Sequence, residues 1–229
     1  MTSPSKSPEL YRKFYEHEAG QYRITREAEP AWIHRRNLVR RLLPRRIDGT
    51  LLDAGCGDGA MSEDLADAAG VAVVGVDVSM ARVRYAAEHG RQATYLQGSI
   101  YDLPFADGTF ALVVCADLLE HLDHPDRAVK ELVRVSNRNV VLSVPYCINI
   151  EQTLCPHCLG EYYLYGHQHS FGKEGIERMA REAGASVEKF DHLVPMFECR
   201  RYRWFPPLRW LLWDHFKNSG TLGARLRKN

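Results

Sequence analysis

The chain has 229 residues, 45% of them apolar and 26% charged, enough for one α/β domain with embellishments or two small ones. No apolar run approaches the roughly 20 residues that span a bilayer, and MTSPSKSPEL at the start lacks the apolar stretch of a secretory signal. The expectation is therefore a cytoplasmic protein whose six cysteines are free, catalytic or metal-bound rather than paired in disulfides. The net charge of +1 hides an asymmetry: residues 1–48 carry 11 Lys+Arg against 6 Asp+Glu, residues 198–229 carry 8 against 2, and the stretch between them 11 against 21. Basic arms of this kind attract an anionic substrate, a nucleic acid or a membrane surface, and solvated helix faces account for each arm equally well.

In chain order, residues 1–8 are rich in Ser, Pro and Lys, a composition that predicts disorder. A helix is expected over 9–22, with Leu10 and Phe14 on one side. A second helix follows Pro30, where Trp32, Ile33, Leu38, Val39, Leu42 and Leu43 recur at helical spacing. From residue 50 the pattern alternates: strand 50–54, a glycine-rich turn, helix 60–69, strand 71–77, helix 80–89, and strands 93–97 and 110–116. Asp123 and Pro125 open a helix over 126–135, and a strand follows over 139–145. Residues 147–171 break the rhythm, which resumes with helix 172–184 and strand 185–193. The succession predicts a parallel sheet with helices on both faces and ligands at the carboxyl ends of the strands.

The turn after the first strand reads 51-LLDAGCGDGA-60, with Gly55, Gly57 and Gly59 alternating. Glycine allows a sharp turn and a close approach of ligand to main chain. Asp53, just before it, would repel a pyrophosphate and favours a ligand that offers an ammonium group or hydroxyls. Asp77 ends the second strand, where a carboxylate can hold both ribose hydroxyls. A ribose without a pyrophosphate and with positive charge nearby describes S-adenosylmethionine.

With LLDAGCGDG, then VVGVDVS, then QGSIYDLPFADGTF, then VVCADLLEHL, the chain resembles the class I S-adenosylmethionine-dependent methyltransferases from about residue 10 to residue 193. The resemblance implies a Rossmann-like, mostly parallel seven-stranded sheet with helices on both faces, plus N-terminal helices and an inserted flap. It divides the chain into an N-terminal arm (1–48), a cofactor-binding core (49–146), an insert (147–171), the end of the core (172–199) and a basic aromatic C-terminal arm (200–229). It also implies cofactor contacts from Tyr22, Asp53, Gly55, Cys56, Gly57, Gly59, Asp77, Val78, Ser99, Ile100 and Ala116. Ser99 stands where relatives commonly have Asp toward the adenine amino group, and Ala111 where they have Asp after the phenylalanine.

Methyl transfer needs an aligned nucleophile, exclusion of water and sometimes a base. The residues after the fourth strand, 115-CADLLEHL-122, face the transferred methyl in the family. His121 is the first candidate base, because its ordinary pKa lies near neutrality, with Asp117 and Glu120 behind it; His124 belongs to the start of the following helix. The Asn/Asp-Pro-Pro-Tyr signature of many amino-group methyltransferases is absent.

The insert contains 155-CPHCLGEYYLYGHQHSF-171. A redox dithiol would need a helix N-terminus in a thioredoxin-like fold. The Cys-x₂-Cys pair with nearby histidines suits zinc instead, and the stretch resembles a Cys-Pro-x-Cys…Gly-His insert of some methyltransferases, departing from it at Leu159. The expected ligands are Cys155, Cys158, His167 and His169, with Cys147 and His157 in reserve, and the expected role is a structural zinc that folds a substrate-binding flap. In an extended segment His167 and His169 point the same way. The tail 200-RRYRWFPPLRWLLWDHFKN-218 sets Trp204, Trp210 and Trp213 among basic residues, a surface for packing, dimerisation or peripheral membrane contact. The resulting expectation is O-methylation of a small molecule or glycan. An RNA methyltransferase, or a cofactor-binding zinc protein that acts through a partner, is the alternative.

Overall fold

The computed structural model describes residue 16 and residues 30–146, 148–154, 161–163, 166–193 and 220–229. Seven strands form one sheet: β1 (Leu51–Ala54), β2 (Val73–Asp77), β3 (Ala93–Gln97), β4 (Phe110–Ala116), β5 (Ser136–Pro145), β8 (Ala185–Leu193) and β9 (Thr221–Lys228). Their order is β3-β2-β1-β4-β5-β9-β8. β1 to β5 pair in parallel, while β9 runs antiparallel to both of its neighbours. β6 (Gln152–Leu154) and β7 (Glu161–Tyr163) make a separate antiparallel pair. The helices are α1 (Pro30–Leu42), α2 (Ala60–Ala69), α3 (Met80–His89), α4 (Pro125–Val135) and α5 (Lys173–Glu182). This is a Rossmann-like α/β fold with helices on both faces of a seven-stranded sheet.

Alternation along the central strands divides the core. Val113 and Cys115 of β4, with Val140, Leu142 and Val144 of β5, pack against Val129, Leu132 and Val133 of α4 and Ile176 and Met179 of α5. On the opposite face Leu112, Val114 and Val141 meet Leu38, Val39 and Leu42 of α1 and Met61 and Leu65 of α2. The period of two in each strand and the apolar stripe on each helix are what a sheet covered on both faces requires. Pro30 opens α1, as the sequence predicts. At the start of α4 the cap differs from expectation: His124 occupies the N-cap with no side-chain bond to the helix, and its own N–H donates to the Tyr101 hydroxyl at 3.2 Å.

The larger departure is at the C-terminus. Residues 221–228 are not part of an arm. They form β9, which sits between β5 and β8, so the sheet extends to Lys228. Leu222, Ala224 and Leu226 point into the core. Gly223 faces α1, and a Cβ there would collide with Leu42 and crowd Leu38, so glycine lets α1 lie this close. Arg225 donates to Glu188 at 2.9 Å and to the carbonyls of Leu42 and Leu43 at the end of α1. Its charge therefore serves the packing of strand and helix.

Candidate active site

The strand order reverses between β1 and β4, and a crevice opens there beyond the carboxyl ends of the strands. Its floor is the glycine turn. Gly55, Gly57 and Gly59 all have left-handed φ, at 82°, 55° and 85°, a region costly for any residue with a Cβ. They differ in what surrounds them. A Cβ on Gly55 would meet Leu118 Cδ2 at 2.6 Å, across the crevice, whereas one on Gly59 would meet the Tyr95 hydroxyl at 2.5 Å inside the protein. Gly59 thus serves packing, and Gly55 faces the cavity.

Asp77 ties this turn to the end of β2. Its Oδ2 accepts from Gly57 N–H and its Oδ1 from Ser79 N–H, each at 2.9 Å. A carboxylate oxygen can accept more than one hydrogen bond, so both keep capacity for hydroxyl donors. Asp53 lies deeper, 1% exposed, where its Oδ2 accepts from the Ser62 hydroxyl at 2.6 Å. Burial pushes its pKa up to about 7; the Ser62 bond opposes the shift, and Asp77 and Asp58 add to it. A cation placed nearby would reverse this.

Of the residues expected at the cofactor, Gly55, Asp77, Val78, Ser99 and Ile100 line one largely apolar cavity. Val78 is exposed to 37%, unusual for an apolar side chain at a strand end. Cys56 is buried against Val83, Ala86 and Tyr95, and burial drives its thiol well above the ordinary range. Ala116 packs with the α1-side core. Tyr22 lies outside the described residues. The sequence did not single out Tyr101, Leu118 and Leu122, which also line the cavity, or Arg82, whose guanidinium would lie 3.5 Å from a Cβ on Gly57. The two leucines sit within the motif VVCADLLEHL, which could have pointed to them.

The opposite wall is the segment after β4. Asp117 has left-handed backbone, φ 49°, and its carboxylate is committed. Oδ2 accepts from Arg35 of α1 at 2.8 Å, and Oδ1 from the Ser143 hydroxyl of β5 at 2.9 Å. A 3-10 turn (Leu119–His121) follows. Glu120 is 1% exposed, and burial, reinforced by Asp117, holds its pKa well above the usual carboxylate range. His121 lines the cavity with its Nδ1 3.3 Å from the Gly166 carbonyl oxygen. Burial, then His167, lowers its pKa to about 4 against the pull of that carbonyl, so its imidazole is neutral at neutral pH.

Residues 52–144 match a protein-family model described as a methyltransferase domain. Among similar proteins, the O-methyltransferase resE of Aspergillus sclerotiorum is 27% identical over 150 residues, covering 61% of this chain and 56% of that protein. Ajmaline N-methyltransferase of Rauvolfia serpentina is 26% identical over 151 residues, 63% of this chain and 47% of that one. The chain spans about half the length of the curated relatives it matches. Among solved structures, a chain of the complex between the Haloferax volcanii Trm112 methyltransferase activator and a methyltransferase superposes with a TM-score of 0.70 at 18% identity, covering 93% of this chain and 96% of that one. The [4+2]-cyclase SpnF does so with 0.70 at 16%, covering 100% and 99%.

Two connections outside residues 52–144 leave from one end of the sheet. Pro145 pairs with Thr221, and Thr221 with Leu193, so the insert after β5 and the connection 194–219 both start at the carboxyl ends that carry the cavity. Cys155 and Cys158 fall in the connection of the β6–β7 hairpin, and they, Cys147 and His157 lie outside the described residues. The two histidines diverge from the expected common direction. The His167 ring lies 4.9 Å from that of His121. His169 stands 6.0 Å from Phe171 and lines a separate depression with Asp123 and Arg178. Two features set their directions: Gly166 is left-handed at φ 71°, and Gln168 is pinned through its N–H to the Glu120 carbonyl and through Nε2 to that of His121, each at 2.8 Å. The segment is therefore not a plain extended strand.

Proposed function

We propose that the chain is an S-adenosylmethionine-dependent methyltransferase that methylates a small-molecule or glycan acceptor on oxygen by in-line transfer. The observation that carries this reading is the cavity at the strand-order reversal, with Asp77 at a hydroxyl-binding position and Val78 exposed beside it. The residues suit the cofactor: glycine main chain below, the Asp77 carboxylate for the ribose diol, Val78 and Ile100 against adenine, Ser99 at its edge, and the Asp53 charge behind the turn for the ammonium end. When bound, S-adenosylmethionine supplies an activated methyl group. The protein holds the acceptor oxygen in line, excludes water through Leu118 and Leu122, and must provide for the hydroxyl proton.

His121 borders the acceptor side and is the group nearest to that task. Asp117 is a positioning residue: the ion pair with Arg35 of α1 and the bond from Ser143 of β5 fix its carboxylate between those elements. The relatives named above as O- and N-methyltransferases support a small-molecule acceptor. The test is transfer of tritiated methyl from S-adenosylmethionine into fractionated cell extract, with identification of the labelled species. Label in no fraction, despite cofactor binding by calorimetry, would leave the second reading: a cofactor-binding protein without transferase activity, favoured by the likeness in fold to a cyclase.

The thiolate pair Cys155 and Cys158 extends the proposal to a structural zinc in the insert. The pairing of Leu154 with Glu161 supports it, because it brings together the two ends of the segment that carries the cysteines, as a Cys-x₂-Cys knuckle requires. Peripheral membrane contact through 200–219 is tested by liposome co-sedimentation. Among the described residues no helix is long and apolar enough to cross a membrane.

A further inference from the structure

We propose that Glu120, His121 and His167 bind one first-row divalent cation, zinc or a close relative, on the acceptor side of the cavity. What the ion does rests on the methyl-transfer reading above; whether it binds does not. One ligand atom from each of the three residues lies within 4.8 Å of the others. In a tetrahedral site with bonds of about 2.0–2.2 Å the ligand atoms stand about 3.3–3.6 Å apart, so the widest pair needs to close by up to about 1.4 Å, within reach of side-chain rotations.

Glu120 gives a second, separate indication. Its side chain is 1% exposed, and its Oε2 makes no hydrogen bond among the described residues. Its Oε1 stands 3.8 Å from His121 Nε2. A buried carboxylate oxygen without a partner is costly, and a cation between carboxylate and imidazole removes that cost. The orientation of His121 fits as well. With Nδ1 against the Gly166 carbonyl, the ring proton belongs on Nδ1 and the Nε2 lone pair is directed toward Glu120. The two segments are already fastened together by the bonds from Gln168 to the Glu120 and His121 carbonyls.

Two imidazoles and one carboxylate favour zinc, cobalt, manganese or ferrous iron over magnesium and calcium. Three protein ligands leave a coordination position open, and His121 borders the cavity, so an acceptor hydroxyl can take that position. Bound there, it ionises more readily and its proton passes to solvent. The oxygen lone pair then forms the O–CH₃ bond while the C–S bond breaks with its pair going to sulfur, giving S-adenosylhomocysteine. In this arrangement His121 acts as a ligand in place of a base, and His167 belongs to the acceptor site and not to the thiolate pair of the insert.

Cobalt(II) titration of the metal-stripped full chain tests the assignment, followed by visible absorption and by calorimetry. The expected result is cobalt d–d bands from a site without thiolate ligands. These should persist when Cys155→Ser and Cys158→Ser are combined, and cobalt affinity should fall by at least about 100-fold in Glu120→Gln and in His167→Ala. Absence of such bands in the wild-type chain, or bands that both variants leave intact, overturns it. S-adenosylhomocysteine binding, measured on the same samples, shows that each variant is folded and separates the failures. Cofactor binding without cobalt binding removes the metal site alone; a cobalt site without methyl transfer removes the methyl-transfer reading alone.

Discussion

The two walls of the cavity are built in opposite ways. On the cofactor side, polar groups are matched within the fold: Asp77 accepts from two backbone amides, Asp53 from a serine, and Gly59 closes over Tyr95. On the acceptor side Glu120 keeps a buried oxygen without a partner among the described residues, two histidines face each other, and Asp117 holds a left-handed backbone. A wall that receives one defined molecule can complete most of its bonding in advance. A wall that meets reacting atoms keeps unspent bonding capacity and strain, which the surrounding structure must sustain. Arg35, reaching from α1 to Asp117, is one of the bonds that sustain it.

The contrast can be broken from either side. The largest effect is expected on the acceptor wall: His121→Ala should lower the rate of methyl transfer by about 10²–10⁴-fold with cofactor affinity kept, read by single-turnover assay and calorimetry. On the cofactor wall, Asp77→Ala should weaken S-adenosylhomocysteine binding about 100-fold. It should also lower the melting temperature, because Gly57 and Ser79 lose the acceptor for their amides.

A pH series sharpens the comparison further. Asp53 has a folded pKa raised to about 7 from 3.8, so its contribution to stability is full below about pH 4 and is lost as pH rises toward 7. The unliganded chain should therefore lose at most about 1.4 kcal/mol per pH unit across that window. Affinity for a cofactor bearing an ammonium group should rise, by up to about tenfold per unit. Asp53→Asn should flatten both trends in thermal melts and calorimetry. The smallest effect belongs to Arg35→Ala, which removes a partly exposed ion pair: about 1 kcal/mol of stability and a KM for the acceptor raised less than tenfold.

The glycine turn, Asp77, Val78 and the succession of strands and helices were legible because each is written locally, in a period, a cap or a run of glycines. β9 was not. In TLGARLRK the buried Leu222, Ala224 and Leu226 alternate with Gly223, Arg225 and Arg227, so the period of two was present. The charges made it look like the end of a basic arm, and their partners, Glu188 and the carbonyls at the end of α1, are distant in sequence. The burial of Glu120 was equally hidden, since glutamate is almost never buried without a partner. The divergence of His167 and His169 depended on Gln168 anchoring to a turn more than forty residues away. Long-range pairing decided each of these.

The position of β9 also sets an order of events during synthesis. It is made after every strand it touches, yet it lies between β5 and β8. Until the ribosome has released residues 221–228, β5 has an open edge and β8 has no partner in the sheet. α1, one of the first helices made, cannot settle fully either, because Leu38 and Leu42 rest on Gly223. The sheet therefore stays unfinished until β9 arrives, and its insertion between β5 and β8 also seats α1, which precedes all of these strands in the chain.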